Sequence, residues 1–148
     1  MPDQEIIDGL IASYRELNHR VRGAGLTGAD ESSPVTQVLR RLRDRELRAS
    51  QAVKRMLLGE AAEATDEAEA DAVEFRGLPL SPTVLLSQFG TARESTLSMV
   101  RDLPDEEWNK RFVTPNGEMT LRDYLKSLVD RDRERMSEID ASLAKIRA

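Results

Sequence analysis

The sequence predicts an all-α four-helix bundle, and three features carry that expectation. Apolar residues recur at three- and four-residue spacing in four separate stretches. Two of these stretches open on Ser33-Pro34 and Ser81-Pro82, where a hydroxyl can cap a helix and the N–H missing from proline costs nothing. Aromatic residues are only 4% of the chain against 33% charged, a balance that suits helices better than a sandwich or barrel. At 148 residues the chain is expected to form one domain, residues 1–148.

Taken in order, Ile6, Leu10, Tyr14, Leu17 and Val21 form the apolar stripe of a first helix from Asp3 to Val21, widened by Ile7 and Ile11. The run GAGLTGADESS, residues 23–33, breaks the pattern as a loop. The second helix starts at Pro34 and buries Val35, Val38, Leu39, Leu42, Ala49, Val53, Met56 and Leu57. It runs to about Leu58, where Gly59 can end or bend it. Residues 60–74 hold seven carboxylates and no basic residue. They read as a long, solvated, partly helical crossover between helices two and three, or alternatively as a docking site for a basic partner.

The third helix opens at Pro82 with Leu85, Phe89, Ala92, Thr96, Met99, Val100 and Leu103 on its buried face. Leu-Pro-Asp-Glu-Glu-Trp (103–108) closes it, a short extended piece follows from Trp108 to Val113, and Pro115-Asn116-Gly117 makes a turn. Thr120, with Asp123 three residues on, caps a fourth helix that reaches Ile146.

Composition excludes much chemistry. The chain has no cysteine, which removes disulfides, thiolate metal sites and a cysteine nucleophile together. It has one histidine, His19, so no site within one chain can use two. No apolar run approaches the ~18 residues of a membrane span, and MPDQEIIDGL lacks the basic start and apolar core of a signal peptide. A cytoplasmic protein without membrane partners is expected. The net charge of −5 argues against nucleic acid. The basic residues of helix two are spread around it without interleaved aromatics, which argues the same way.

One anomaly stands out. The stripe of helix four, Leu121, Leu125, Leu128, Ile139, Leu143 and Ile146, runs through a charged block from Asp130 to Arg135. At 100° per residue, Asp132 falls within about 20° of the stripe centre, Arg135 within about 40° and Arg131 about 80° away. On helix two, Glu46 falls in the middle of the apolar face, between Leu42 and Val53. Solvated pairs at i,i+3 explain Asp130–Arg133 and Arg131–Glu134 but neither of these two acids.

The run TPNGEMTLRDYLKSLVDRDRERMSEI, with the Trp and Gly turn before it, resembles the last helix of DinB-like (YfiT-like) four-helix bundle proteins, and the resemblance covers about residues 33–146. It implies a bundle in which a histidine late in helix two and an HDxxH pair in helix four bind a divalent metal. Members with known activity include thiol-dependent transferases and isomerases using mycothiol or bacillithiol, and dimers are frequent. In this chain the HDxxH pattern falls on Arg131-Asp132-Arg133-Glu134-Arg135, and the helix-two motif falls on Arg41-Leu42 with Glu46 five positions after the arginine. Only Asp132 matches in helix four, and every ligand histidine is an arginine. A guanidinium has donors only and keeps its charge, so Arg41, Arg131 and Arg135 cannot ligate a metal. No metal and no cofactor are therefore expected.

Three functions fit these residues. Arg41, Arg131 and Arg135 could pair with Glu46 and Asp132 in a non-catalytic network filling the former metal pocket. The surplus of three cations over two anions could instead hold a small anionic ligand. A thiol-dependent transferase acting without metal is the third, and no evident nucleophile supports it. Glu16-x-x-His19 has di-iron spacing, but that architecture needs two such motifs. Tyr14 and Tyr124 read as packing residues with a polar tip. A modest core makes a homodimer through a helix face the expected assembly.

Overall fold

A computed structural model describes residues 3–23, 33–60, 81–114 and 117–147. Helices make up 82% of them. The order is α1 (Gln4–Gly23), α2 (Pro34–Leu57), α3 (Pro82–Val100), α4 (Asp105–Trp108), β1 (Arg111–Thr114), β2 (Gly117–Thr120) and α5 (Leu121–Arg147). Four long helices pack around a common core. The four-helix plan therefore needs two additions. Asp105–Trp108 forms one helical turn, and the extended piece after it pairs as a hairpin, Phe112 opposite Met119 and Arg111 opposite Thr120. The loop at 24–32, the acidic crossover at 61–74 and the turn at Pro115-Asn116 lie outside the described residues. No described helix is long and apolar enough to cross a membrane.

The helix ends follow from local chemistry. Ser33 Oγ accepts from Thr36 N at 3.2 Å, and Ser81 Oγ accepts from Val84 N at 3.2 Å, each with proline at the next position. Thr120 Oγ1 accepts from Asp123 N at 3.0 Å and starts α5 directly from the hairpin. At the end of α2, Gly59 takes a φ of +79°, while Glu60 N donates to Arg55 O at 2.8 Å and Gly59 N to Met56 O at 3.0 Å. That pair of bonds is a Schellman closure, and its left-handed position suits glycine.

The core is divided along the bundle axis. One apolar cluster holds Ile6, Ile7 and Leu10 of α1, Ala49 to Met56 of α2, Leu97 and Val100 of α3, and Leu121 to Val129 of α5, closed by Trp108 and Phe112. The other holds Leu17 and Val21, Val35 to Leu42, Leu85 to Phe89, and Met136, Ile139 and Leu143. On α2, α3 and α5 the switch between clusters falls on charged or polar residues: Arg45 and Glu46, Arg93 and Thr96, Asp132. On α1 it falls at Ser13, also buried. A polar layer thus crosses the middle of the bundle.

Candidate functional site

Each residue of this layer is placed by helical spacing. Glu46 lies four residues after Leu42 and Asp132 lies four before Met136, so both project inward with the apolar faces. Asp132 and Glu46 are fully buried, and Arg93 is 1% and Arg45 3% exposed. Such residues persist in a core only when paired.

Arg93 is the hub. Its Nη1 donates to Asp132 Oδ2 at 2.9 Å and to the Leu10 carbonyl at 2.9 Å. Its Nη2 donates to Glu46 Oε1 at 2.8 Å and to Asp132 Oδ1 at 3.2 Å. One guanidinium therefore ties α1, α2, α3 and α5 together. Glu46 Oε2 accepts from Thr96 Oγ1 at 2.8 Å, and Arg45 Nη2 makes a short contact with Asp132 Oδ1. The face of the Arg93 guanidinium lies over the Phe89 ring, 4.9 Å from its centroid. Burial alone would drive Arg93 towards its neutral form, but the charges and hydrogen bonds of Glu46 and Asp132 outweigh it. The proton is held more tightly than on an ordinary arginine. Two arginines face two carboxylates, so this layer carries no formal net charge.

A second buried pair adjoins it. Arg43 donates through Nε to Asp44 Oδ1 at 2.9 Å and through Nη1 to Gln88 Oε1 at 3.0 Å, linking α2 to α3.

The structure brings Glu46 and Asp132 into one cluster, but not with the three arginines expected there. Arg41 and Arg131 are exposed, and Arg131 pairs along its own helix with Glu134 at 3.5 Å. Arg135 is partly covered, and its Nη1 reaches Glu138 at 2.8 Å. Position explains the difference. Arg41 and Arg131 sit off the buried faces, and the long side chain of Arg135 carries its charge outward from a near-core Cα. Three cations against two anions therefore does not describe the buried cluster. Arg45 and Arg93 supply its positive charge, and both have a sequence signal. Arg45 lies three residues after Leu42 and four before Ala49, and Arg93 lies four after Phe89 and four before Leu97.

The donor set does not fit a divalent metal. Both carboxylates already accept from guanidinium groups, and no group of three histidine, cysteine or acidic side chains gathers among the described residues. His19 is exposed near the end of α1, beside the Arg20–Asp140 ion pair at 2.7 Å, and is not one of the buried residues of the layer. Tyr124 is buried in the Trp108 cluster. Tyr14 is half-buried against Phe89, with ring centroids 6.2 Å apart.

Arg93 also forms part of the lining of a cleft of about 440 Å³ between α1 and α3, with Ile11, Tyr14, Gly90, Leu97 and Arg101. Comparisons with protein-family models, with curated proteins and with solved structures return no match to this chain.

Proposed function

We propose that this protein is a DinB-like bundle without a metal centre, a non-catalytic protein whose interior ion pairs fix the packing of its four long helices. The observation that carries this is Arg93, whose two terminal nitrogens occupy both Glu46 and Asp132. The resemblance would place a metal between helix two and helix four. The side chains at those ligand positions, Arg41, Arg131 and Arg135, have no lone pair with which to hold a metal, and the Arg93 guanidinium between the two buried acids has none with which to activate a water. Among the described residues the layer also lacks a hydroxyl or amine with an adjacent base free to accept its proton. Thr96 Oγ1 is held between Glu46 and the Ala92 carbonyl, at 2.8 and 3.3 Å, and the carboxylate it meets is already bound to Arg93.

Elemental analysis of the purified protein, paired with melting curves in added zinc or nickel, tests the proposal. The expected result is substoichiometric metal and a melting temperature that neither ion raises. A stoichiometric metal that stabilises the fold, and is lost in Asp132→Asn, would overturn it.

A further inference from the structure

Charge is unevenly distributed among the helices. From Pro34 to Leu57, α2 carries seven basic residues and two acids, whereas each of the other long helices holds nearly equal numbers of the two signs. Its two acids are already engaged, Asp44 with Arg43 at 2.8 Å and Glu46 with Arg93 at 2.8 Å. At 100° per residue, Arg41, Arg48 and Arg55 line up between about 140° and 180° from Glu46, a basic stripe on the outward side of α2. Among the described residues no helix packs against that side, since α3 meets α2 at Arg43 and Ser50 and α5 meets it at Arg45. Asp44 lies on the same side, about 160° from Glu46. It is nonetheless only 5% exposed, close cover for a short acid on the outward side of a surface helix.

The course of the chain offers an occupant. Arg43 meets Gln88, Glu46 meets Arg93 and Ser50 meets Ser95, so α2 and α3 run in the same direction and Ser81 is about level with Thr36. Glu60 and Ser81 are therefore about 36 Å apart along the bundle, the rise of roughly 24 helical residues. One end of this connection leaves α2, and the other arrives beside the start of α2. The 20 residues available, 61–80, can reach about 66 Å when extended, so their length is ample. Six carboxylates and no basic residue fall in residues 61–74. We propose that this acidic run docks on the basic stripe of α2. The basic partner that its composition calls for then lies within the same chain, and the stripe is no site for a polyanion in solution. Opposite charges on adjacent segments favour the contact, and the covalent tether raises their effective concentration.

The experiment uses the full-length chain, which has no cysteine, so Ala68→Cys offers a single attachment point for a nitroxide label. In NMR spectra of the ¹⁵N-labelled protein at low salt, the amide signals of Arg48 and Arg55 are expected to lose most of their intensity. Those of Glu16 on α1 and Lys126 on α5 are expected to keep theirs. The loss should be largely reversed when the six carboxylates are neutralised (Glu63→Gln, Asp66→Asn, Glu67→Gln, Glu69→Gln, Asp71→Asn, Glu74→Gln). Loss of signal on α1 or α5 in place of α2, or a loss that the neutral variant retains in full, would overturn the proposal. So would loss of the α2 signals when ¹⁵N wild type is mixed with spin-labelled protein of natural isotopic abundance, which would make the occupant a second copy. Micromolar binding of single-stranded DNA by wild type, removed by Arg41→Glu with Arg48→Glu, would overturn it by giving the stripe to an external polyanion.

Discussion

Arg93 meets Asp132 end-on, Nη1 to Oδ2 at 2.9 Å and Nη2 to Oδ1 at 3.2 Å, so each terminal nitrogen reaches a different carboxylate oxygen. Only a planar fork can do this. The same Nη2 also reaches Glu46 at 2.8 Å, so one side chain bridges acids from two helices. The value of such a cluster is asymmetric. Forming it returns little net stability after desolvation, but removing one member leaves buried charge without compensation.

Arg93→Met is accordingly expected to lose roughly 3–5 kcal/mol. Arg93→Lys should recover only part of that, because a single ammonium cannot span both carboxylates. Replacing the whole cluster with apolar residues (Arg45→Met, Glu46→Leu, Arg93→Met, Asp132→Leu) should cost less than Arg93→Met alone. Urea unfolding of the three variants checks the ordering. A quadruple variant whose loss is the sum of the single losses would show that these residues act independently.

Alkaline stability follows from the same cation. The folded-state pKa of Arg93 is raised, so its contribution is complete below the pKa of the unfolded chain and is lost only as pH rises through the higher folded value. Both lie above the range in which proteins are handled. Wild type should therefore show no loss of stability between pH 7 and 10 that disappears in the quadruple variant. Urea midpoints of the two proteins across that range make the comparison.

The caps give a test away from the core. Ser33→Ala and Ser81→Ala should each cost about 1 kcal/mol, since each removes an acceptor for an N–H in the first helical turn. The two sites are on different helices, and the losses should add within about 0.5 kcal/mol. Chemical denaturation of the double variant measures that sum.

Much of this architecture is legible in the chain. The Ser-Pro starts, the Gly59 stop and the Thr120 cap are local chemistry and fall where spacing places them. Glu46 and Asp132 are legible as buried acids because each interrupts an apolar stripe. Arg45 and Arg93 obey the same spacing, yet a long cationic side chain can turn from a near-core Cα towards a partner on its own helix, as Arg135 does towards Glu138, or stay inside. What decides is a partner on another helix, and the sequence of one helix does not contain it. The hairpin is obscure for a related reason. Four-residue strands carry too little alternation to announce a pairing, and only Phe112 and Thr114 of β1 turn inward.

Gly90 separates helix propensity from packing. In an open helix, Gly→Ala would gain about 1 kcal/mol. Here the new Cβ would meet Tyr14 Cε2 at 2.5 Å and Cζ at 2.7 Å, so the ring has to move off its place beside Phe89. Gly90→Ala should therefore bring no gain, or a small loss, in wild type, and the full gain of about 1 kcal/mol in a Tyr14→Ala background. A double-mutant cycle by urea unfolding measures the coupling. Equal effects of Gly90→Ala in both backgrounds would place the ring elsewhere.

Arg93→Ala should be repaired by a small molecule. The truncation leaves Glu46 and Asp132 facing each other across the space of a guanidinium, and the cleft that Arg93 helps to line gives a path to it. Methylguanidinium has the same planar fork and charge. Binding to the folded state alone stabilises by about 1.4 kcal/mol at a concentration ten times its Kd. Millimolar methylguanidinium should therefore raise the melting temperature of Arg93→Ala and leave wild type unchanged, while tetramethylammonium at equal ionic strength, which has no N–H to donate, should do nothing. Equal responses to both cations would reduce the effect to screening and would remove the fork from the account of why Arg93 is there.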